Sequence, residues 1–155
     1  MTGITSYGAY IPRLRLSRSA IYQAMGWFSP AVVMVAQGER SMCNWDEDAL
    51  TMSVEASRNC MKEEEKDKIN GIYLASTCLP FADRQNAGIV STALNLREDI
   101  ASADFTASQK AGTTALVTAI ESVSGSKGKK MLITAADCRQ TKPGGFYEMW
   151  YGDGA

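Results

Sequence analysis

The chain has 155 residues, of which 45% are hydrophobic and 21% are charged, so it is long enough for one globular domain with a sizeable core. Its net charge of −1 at pH 7 leaves no basic excess for binding a nucleic-acid backbone or an anionic membrane surface. The sequence contains no histidine, which excludes a Ser-His-Asp triad, a Cys-His pair and a His-ligated zinc site built from this chain alone.

The sequence carries no mark of export or membrane insertion. Its first residues lack the basic and apolar regions of a signal peptide, and no apolar run approaches the roughly 20 residues of a membrane-spanning helix. The cysteines Cys43, Cys60, Cys78 and Cys138 are widely separated and form no C-x-x-C pair. We therefore expect a cytoplasmic protein with reduced thiols.

The first elements are short. Residues 3–11 are predicted to form a strand that Pro12 closes, and residues 14–16 continue extended. Ser17 or Ser19 then caps a short helix. The apolar run 31–36 is too short to be assigned to a strand or a helix.

The next helix has a clearer start. Asn44 is followed three positions later by Glu47, the spacing of a capping box, and the apolar periodicity predicts a helix that runs to about Lys62. The charged cluster 63–68 is interpreted as a solvated helix end and turn.

From residue 69 onwards, strands and helices alternate. This order predicts an α/β layered fold with a largely parallel sheet. The predicted strands are 69–76, 101–106 and 131–137, and the predicted helices are 86–96 and 110–123. A polar loop over 139–145 and an aromatic segment over 146–151 follow. Residues 152–155 resemble the opening of another strand, so we expect an incomplete domain.

The junction of residues 104–114 is the best candidate for chemistry. A residue at the start of a helix meets unpaired N–H groups and the positive end of the helix dipole, which stabilise a thiolate or a developing oxyanion. Gly112 would let the backbone come close. Plain packing is the alternative interpretation of such a junction.

Several segments together resemble one known family. In chain order they are GITSYGAYIPR (3–13), GER (38–40), the helix from Asp46, AD (103–104), KAGT (110–113), AAD (135–137) and GDGA (152–155). The chain is similar to the N-terminal half of thiolase-superfamily condensing enzymes of the hydroxymethylglutaryl-CoA synthase and ketoacyl synthase III type. The resemblance implies a five-layered αβαβα fold of two similar halves, with residues 1–155 as the N-terminal half-domain. The other half is expected on another chain or a missing segment.

The resemblance also implies a catalytic cysteine in this half and a histidine from the other. This chain departs from that pattern, because Gln109 stands at the position of the cysteine and Thr77 at that of the acid/base carboxylate. A carboxamide cannot form a thioester. Three hypotheses remain: decarboxylation of a malonyl-type thioester with the Gln109 amide steadying the enolate, a catalytically silent scaffold subunit, or carbon–carbon bond formation or cleavage with another nucleophile.

For the third hypothesis, Cys78 is the candidate nucleophile, and Thr77, Ser108, Gly112 and Cys138 are candidate substrate contacts. Each thiol has an alternative interpretation as a small buried filler. Ser108 is expected to point away from the site and has no base to activate it.

The resemblance implies a coenzyme A thioester as substrate, with no cofactor or metal held by this chain. It further implies homo- or hetero-oligomers of thiolase-fold subunits and a small zinc-ribbon and OB-fold partner. Arg139 and Lys142 are candidates for contact with the phosphates of coenzyme A. We expect an acyltransferase complex that performs Claisen-type condensation or thiolysis.

Overall fold

The computed structural model describes residues 2–155. Strands and α-helices alternate along this part of the chain, with two 3₁₀ helices at Pro30–Val35 and Glu63–Lys68. In chain order the elements are β1 (Leu14–Ser17), α1 (Arg18–Met25), β2 (Glu39–Met42), α2 (Ala49–Cys60), β3 (Ile69–Ala75), α3 (Asn86–Ala93), β4 (Ala101–Phe105), α4 (Ala111–Val123), β5 (Lys130–Ala135) and α5 (Phe146–Trp150).

A parallel sheet of three strands in the order β4-β3-β5 forms the centre of the fold. In its register Leu74 of β3 lies opposite Asp104 of β4 and Thr134 of β5. Parallel neighbours need a crossover connection, and α3 and α4 supply it. The predicted α/β fold with a parallel sheet is confirmed.

Side chains of β3 alternate between two cores, as the two-residue period of a strand requires. Ile72 and Leu74 pack with residues of α2 and α3 on one face. Tyr73 and Ala75 pack with α4 on the other face. The sheet is therefore covered by helices on both sides, and this explains why its central strand is almost wholly apolar.

Strands β1 and β2 form a separate antiparallel ribbon. Ile21 of α1, Val32 of the first 3₁₀ helix and Met149 of α5 make a small core beside it. The apolar run that the sequence left unassigned is therefore part of a 3₁₀ helix with Pro30 in its first turn. The charged cluster is a second 3₁₀ helix in which no residue is fully buried.

Helix α2 begins later than the sequence predicts. Its capping box is Asp48 with Thr51, whose backbone N–H donates to Asp48 at 2.8 Å. Asn44 and Glu47 do contact each other, since the Asn44 N–H donates to Glu47 Oε2 at 2.7 Å, but they close the turn before the helix. The predicted cap was wrong. Both pairs have capping geometry, but only Asp48 is followed directly by a buried residue, Ala49, so the helix starts there.

The predicted strand over residues 3–11 is absent from the described part of the chain. This segment passes the C-terminal end of α2 without a neighbouring strand, and only Tyr10 has strand-like pairing, exchanging hydrogen bonds of 2.8 and 2.9 Å with Ala155. Gly154 makes an antiparallel bridge to Asp137. A strand needs a partner ladder, and here the pairing of this segment is limited to one residue pair, Tyr10 with Ala155.

Helix α3 is shorter than predicted, because Leu94 ends it and Asn95 takes a left-handed conformation with φ of 54°. Helix α4 and the strands of the sheet lie within two residues of their predicted bounds. None of the helices in residues 2–155 has the length and apolarity needed to cross a membrane.

Candidate functional site

A polar cleft of about 990 Å³ lies where β3 and β5 end. In parallel sheets, ligands bind in crevices at the carboxyl ends of the strands. The loop after β3 provides one wall and the loop after β5 provides the other. The cleft is lined by Glu47, Asp48, Thr77, Cys78, Leu79, Pro80, Cys138, Arg139, Gln140, Thr141, Lys142, Gly145, Tyr147 and Tyr151.

Asp137 joins these two loops. Its Oδ1 accepts hydrogen bonds from the Thr77 N–H at 2.7 Å, the Thr77 hydroxyl at 3.0 Å and the Ser76 hydroxyl at 3.1 Å. Asp137 follows β5 and Ser76 follows β3, so the parallel register sets them side by side. This carboxylate fixes the position of Thr77 at the cleft.

Arg139 is held in the cleft by three contacts, one of which is an ion pair from its Nε to Asp137 Oδ2 at 4.0 Å. Its Nε donates to the Thr77 hydroxyl at 2.8 Å, and its guanidinium carbon lies 4.6 Å from the centre of the Tyr151 ring. Arginine stacks on aromatic rings and still presents its remaining N–H groups. Arg139 is therefore a pre-oriented cation on the cleft wall, with Lys142 on the same loop.

Asn86 positions the far end of the loop that carries Thr77 and Cys78. It is 1% exposed, its side-chain amide donates to the Phe81 carbonyl at 2.9 Å, and its side-chain oxygen accepts from the Phe81 N–H at 3.2 Å. Asp104 of β4 accepts the backbone N–H groups of Asn86 and Ala87 at 2.7 Å each and so caps α3 from outside the helix.

Cys78 and Cys138 contact each other inside the cleft, with their sulfur atoms 3.8 Å apart. The Cys138 backbone N–H also donates to Cys78 Sγ at 3.1 Å. The Cys138 thiol, and to a lesser extent Ser76, stabilise the Cys78 thiolate by hydrogen bonds, which lowers the pKa of Cys78 to about 7 despite partial burial. The pKa of Cys138 is raised, because its proton is held by Cys78 and because it is partly buried.

Cys43 packs against the same hydrophobic cluster as Cys78 and Cys138, but its thiol has a different pKa. Its thiol contacts the Met52 sulfur at 3.6 Å. Burial and the negative charge of Asp153 raise the pKa of Cys43 to about 12. Three of the four thiols thus meet in space although the sequence separates them widely. In residues 2–155, no group of three or more Cys, Asp or Glu side chains is arranged to hold a metal ion.

Gln109 is exposed on the junction before α4 and is not one of the residues that line the cleft. Its Nε2 donates to the Tyr151 hydroxyl at a long 3.4 Å, and Tyr151 lines the cleft. The junction contains Ala107 with a positive φ of 62°, an uncommon conformation for a residue with a side chain. Such local strain often accompanies functional positions.

Ser108 and Gly112 do not line the polar cleft. The Ser108 hydroxyl accepts the Lys110 N–H at 3.1 Å and so stabilises the junction. A Cβ added to Gly112 would lie 3.6 Å from the Ala135 Cβ, which is ordinary contact, so space alone does not require glycine there. Of the predicted site residues, the structure groups Thr77, Cys78 and Cys138 in the cleft, and Gln109 lies outside it in contact with the cleft residue Tyr151.

The chain is similar to known proteins over nearly its whole length, although no family model matches it. Over 154 residues it is 33% identical to the hydroxymethylglutaryl-CoA synthase of Thermococcus onnurineus and 34% identical to that of Pyrococcus furiosus, covering 98% of this chain and 43% of each relative. The chain resembles the N-terminal half of a thiolase-superfamily protein. It spans less than half the length of these relatives.

Solved structures agree on the fold of this thiolase-like half. A hydroxymethylglutaryl-CoA synthase complexed with CoA superposes with a TM-score of 0.86 at 21% identity, covering 99% of this chain and 40% of that one. A 3-oxoacyl-(acyl-carrier-protein) synthase III superposes with a TM-score of 0.84 at 16% identity, covering 99% and 48%. The expected thiolase-like fold is confirmed.

Proposed function

We propose that this chain binds a coenzyme A thioester in the polar cleft and acts, with a second thiolase-like half, in carbon–carbon bond formation or cleavage. The observation that carries the proposal is the meeting of Thr77, Cys78 and Arg139 at the carboxyl ends of β3 and β5, with Gln109 in contact with the cleft residue Tyr151. The proposal draws further support from the similarity to hydroxymethylglutaryl-CoA synthases.

The cleft is lined by two cations, Arg139 and Lys142, and by two carboxylates, Glu47 and Asp48, and the cations suit the phosphate groups of coenzyme A. Arg139 is fixed by Thr77 and Tyr151 and keeps donors free for a phosphate, which planar guanidinium groups bind bidentately. Lys142 adds a second cation on the same wall. One structural neighbour is a hydroxymethylglutaryl-CoA synthase solved in complex with CoA.

Gln109 supplies a hydrogen-bond donor and no nucleophile. Its side-chain N–H, weakly held by Tyr151, is free to turn toward the thioester carbonyl oxygen and to steady an enolate formed there. With a malonyl-type thioester, the bond to the carboxylate carbon would break, CO₂ would leave and the electron pair would remain on the enolate. Decarboxylation is therefore the second candidate function, favoured by the exposed amide at this position.

A second half is part of the proposal because the sheet has an open edge. On the side of β5 away from β3, the only pairing within residues 2–155 is the bridge from Asp137 to Gly154. A groove of about 470 Å³ runs along that edge between residues 2–8, α2 and α4. Ser57 lines this groove, is 2% exposed and has no hydrogen-bond partner within the described residues.

We place the second thiolase-like half against this edge and assign to it the histidine that this chain lacks. Hetero- or homo-oligomers of such subunits, with a small zinc-ribbon and OB-fold protein, complete the proposed complex. A catalytically silent scaffold role is the competing possibility, since neither the usual cysteine nor the usual carboxylate is present.

The test is turnover by the assembly purified with this chain. It is incubated with acetyl-CoA and with malonyl-CoA, and free CoA and CO₂ are followed for the wild type, Gln109→Ala and the control Gln37→Ala, an exposed glutamine outside the cleft. We expect at least a ~10-fold loss of turnover for Gln109→Ala alone, the effect of about 1.4 kcal/mol of lost stabilisation. Turnover that is unchanged in Gln109→Ala would overturn the role of the amide, and no turnover in any sample would favour the scaffold.

A further inference from the structure

We propose that Cys78 and Cys138 form a reversible disulfide when the protein meets a hydroperoxide, so that the polar cleft contains a dithiol modification site. The inference goes beyond the proposed function and does not depend on it. It stands on the contact between the two sulfur atoms and on their place at the cleft.

The fold delivers the two thiols to one point. Cys78 lies three residues after the end of β3 and Cys138 three residues after the end of β5, and these strands are parallel neighbours. Their sulfur atoms are already 3.8 Å apart. A disulfide bond is about 2.05 Å long, so the atoms must approach by about 1.8 Å, which side-chain rotation in two loops can provide.

The two thiols differ in the way that a two-step oxidation requires. Cys78 is the stronger thiolate, because the Cys138 thiol and Ser76 hydrogen-bond to it and its pKa lies at about 7. Cys138 retains its proton and lies in contact as the resolving thiol. Low pKa together with a neighbouring resolving cysteine is the pattern of redox-sensitive sites.

The chemistry balances with hydrogen peroxide as the oxidant. The Cys78 thiolate attacks one peroxide oxygen, the O–O bond breaks, and Cys78 becomes a sulfenic acid while hydroxide leaves. The hydroxide takes the Cys138 proton to give water. The Cys138 sulfur then attacks the Cys78 sulfur, the S–O bond breaks, and the departing hydroxide takes a proton from solvent. In sum, two thiols and one peroxide give one disulfide and two waters.

Oxidation would alter the cleft directly. The Cys78 thiolate would cease to exist, and the loops after β3 and β5 would be joined covalently at the wall beside Thr77 and Arg139. A thiol reductant reverses this change by thiol–disulfide exchange.

The other cysteines serve as internal controls. Cys43 lies against the cluster, but its pKa of about 12 keeps it protonated at neutral pH. Cys60 lies at the end of α2, outside the cleft. Selective oxidation must therefore spare both.

The test uses the full chain treated with an equimolar amount of hydrogen peroxide, blocked with N-ethylmaleimide and digested with trypsin. Trypsin separates all four cysteines, with Cys78 on peptide 69–84 and Cys138 on peptide 131–139. We expect a joined species of these two peptides, lighter by two hydrogen atoms than their sum, that disappears with dithiothreitol. Cys43 and Cys60 should carry the alkyl group throughout.

Two variants test the pairing of Cys78 with Cys138 and the sulfenic acid intermediate separately. A Cys43→Ser, Cys60→Ser double variant retains only the pair and should lose both reactive thiols on oxidation and recover both on reduction. Cys138→Ser should accumulate a Cys78 sulfenic acid that dimedone traps. A disulfide from Cys138 to Cys43, a sulfinic acid at Cys78 with Cys138 still alkylated, or equal oxidation of all four thiols would overturn the proposal.

Discussion

Replacing Asp153 by asparagine should destabilise the chain strongly, because it leaves a buried cation without its counter-charge. Asp153 Oδ1 lies 3.2 Å from Arg40 Nη2, and each side chain is 7% exposed. The other carboxylate oxygen accepts the Cys43 backbone N–H at 2.8 Å. Asparagine keeps the shape of aspartate but has one acceptor oxygen instead of two, so the change removes the charge together with one of these two contacts.

The expected magnitude follows from burial. Removing one partner of a buried ion pair costs about 3–5 kcal/mol. An unfolding entropy of about 2.1 cal/mol/K per residue gives about 0.33 kcal/mol/K for a chain of this length, so Tm should fall by about 9–15 °C.

Thermal unfolding followed by circular dichroism at pH 7 measures this shift. The matched control is Glu55→Gln, which breaks an ion pair with Arg58 whose side chains are 45% and 55% exposed. Exposed pairs contribute about 0–1 kcal/mol, so Tm should change by less than about 3 °C. An Asp153→Asn variant that melts within 3 °C of the wild type would refute the reasoning.

Three further predictions concern packing, capping and the thiols. Gly8→Ala should lower the free energy of unfolding by about 1–3 kcal/mol, because the new methyl group would lie 2.6 Å from backbone atoms of α2. The control Gly3→Ala places its methyl group in open space and should leave that free energy unchanged in a denaturant titration. Asp48→Ala removes the side-chain cap of α2 and should lower the free energy of unfolding by about 1 kcal/mol in the same titration. The rate at which iodoacetamide alkylates Cys78 should rise as pH passes about 7, because the Cys78 thiolate forms there. Cys43 should stay unreactive until pH approaches about 12. Equal alkylation rates for the two thiols at pH 7 would contradict this assignment of the two pKa values.

The sequence predicts the central sheet well because β3 and β5 are short apolar runs bounded by polar turns. It does not predict β2, whose residues Glu39–Met42 have no strand pattern and become a strand by pairing with β1. The N-terminal segment shows the opposite case. Its composition favours a strand, but strand formation depends on a partner ladder that local sequence does not supply.

The candidate site was predictable in position and not in detail. Cys78 and Cys138 each follow a predicted strand, and the carboxyl ends of parallel strands meet at one edge, so their proximity could have been inferred. Their sulfur contact depends on loop conformations that Asp137 and Asn86 determine through hydrogen bonds. Tyr151, which links Gln109 to Arg139, carried no distinguishing signal within an aromatic segment.

The most direct test of the account is the affinity of the assembly for acetyl-CoA, measured by isothermal titration calorimetry for the wild type, Arg139→Ala and the exposed control Arg58→Ala. We predict that the wild type and Arg58→Ala bind alike. Arg139→Ala should bind about 10-fold more weakly, which corresponds to about 1.4 kcal/mol. Equal affinities for all three proteins, or no binding by any of them, would contradict the claim that this cleft holds the coenzyme A thioester.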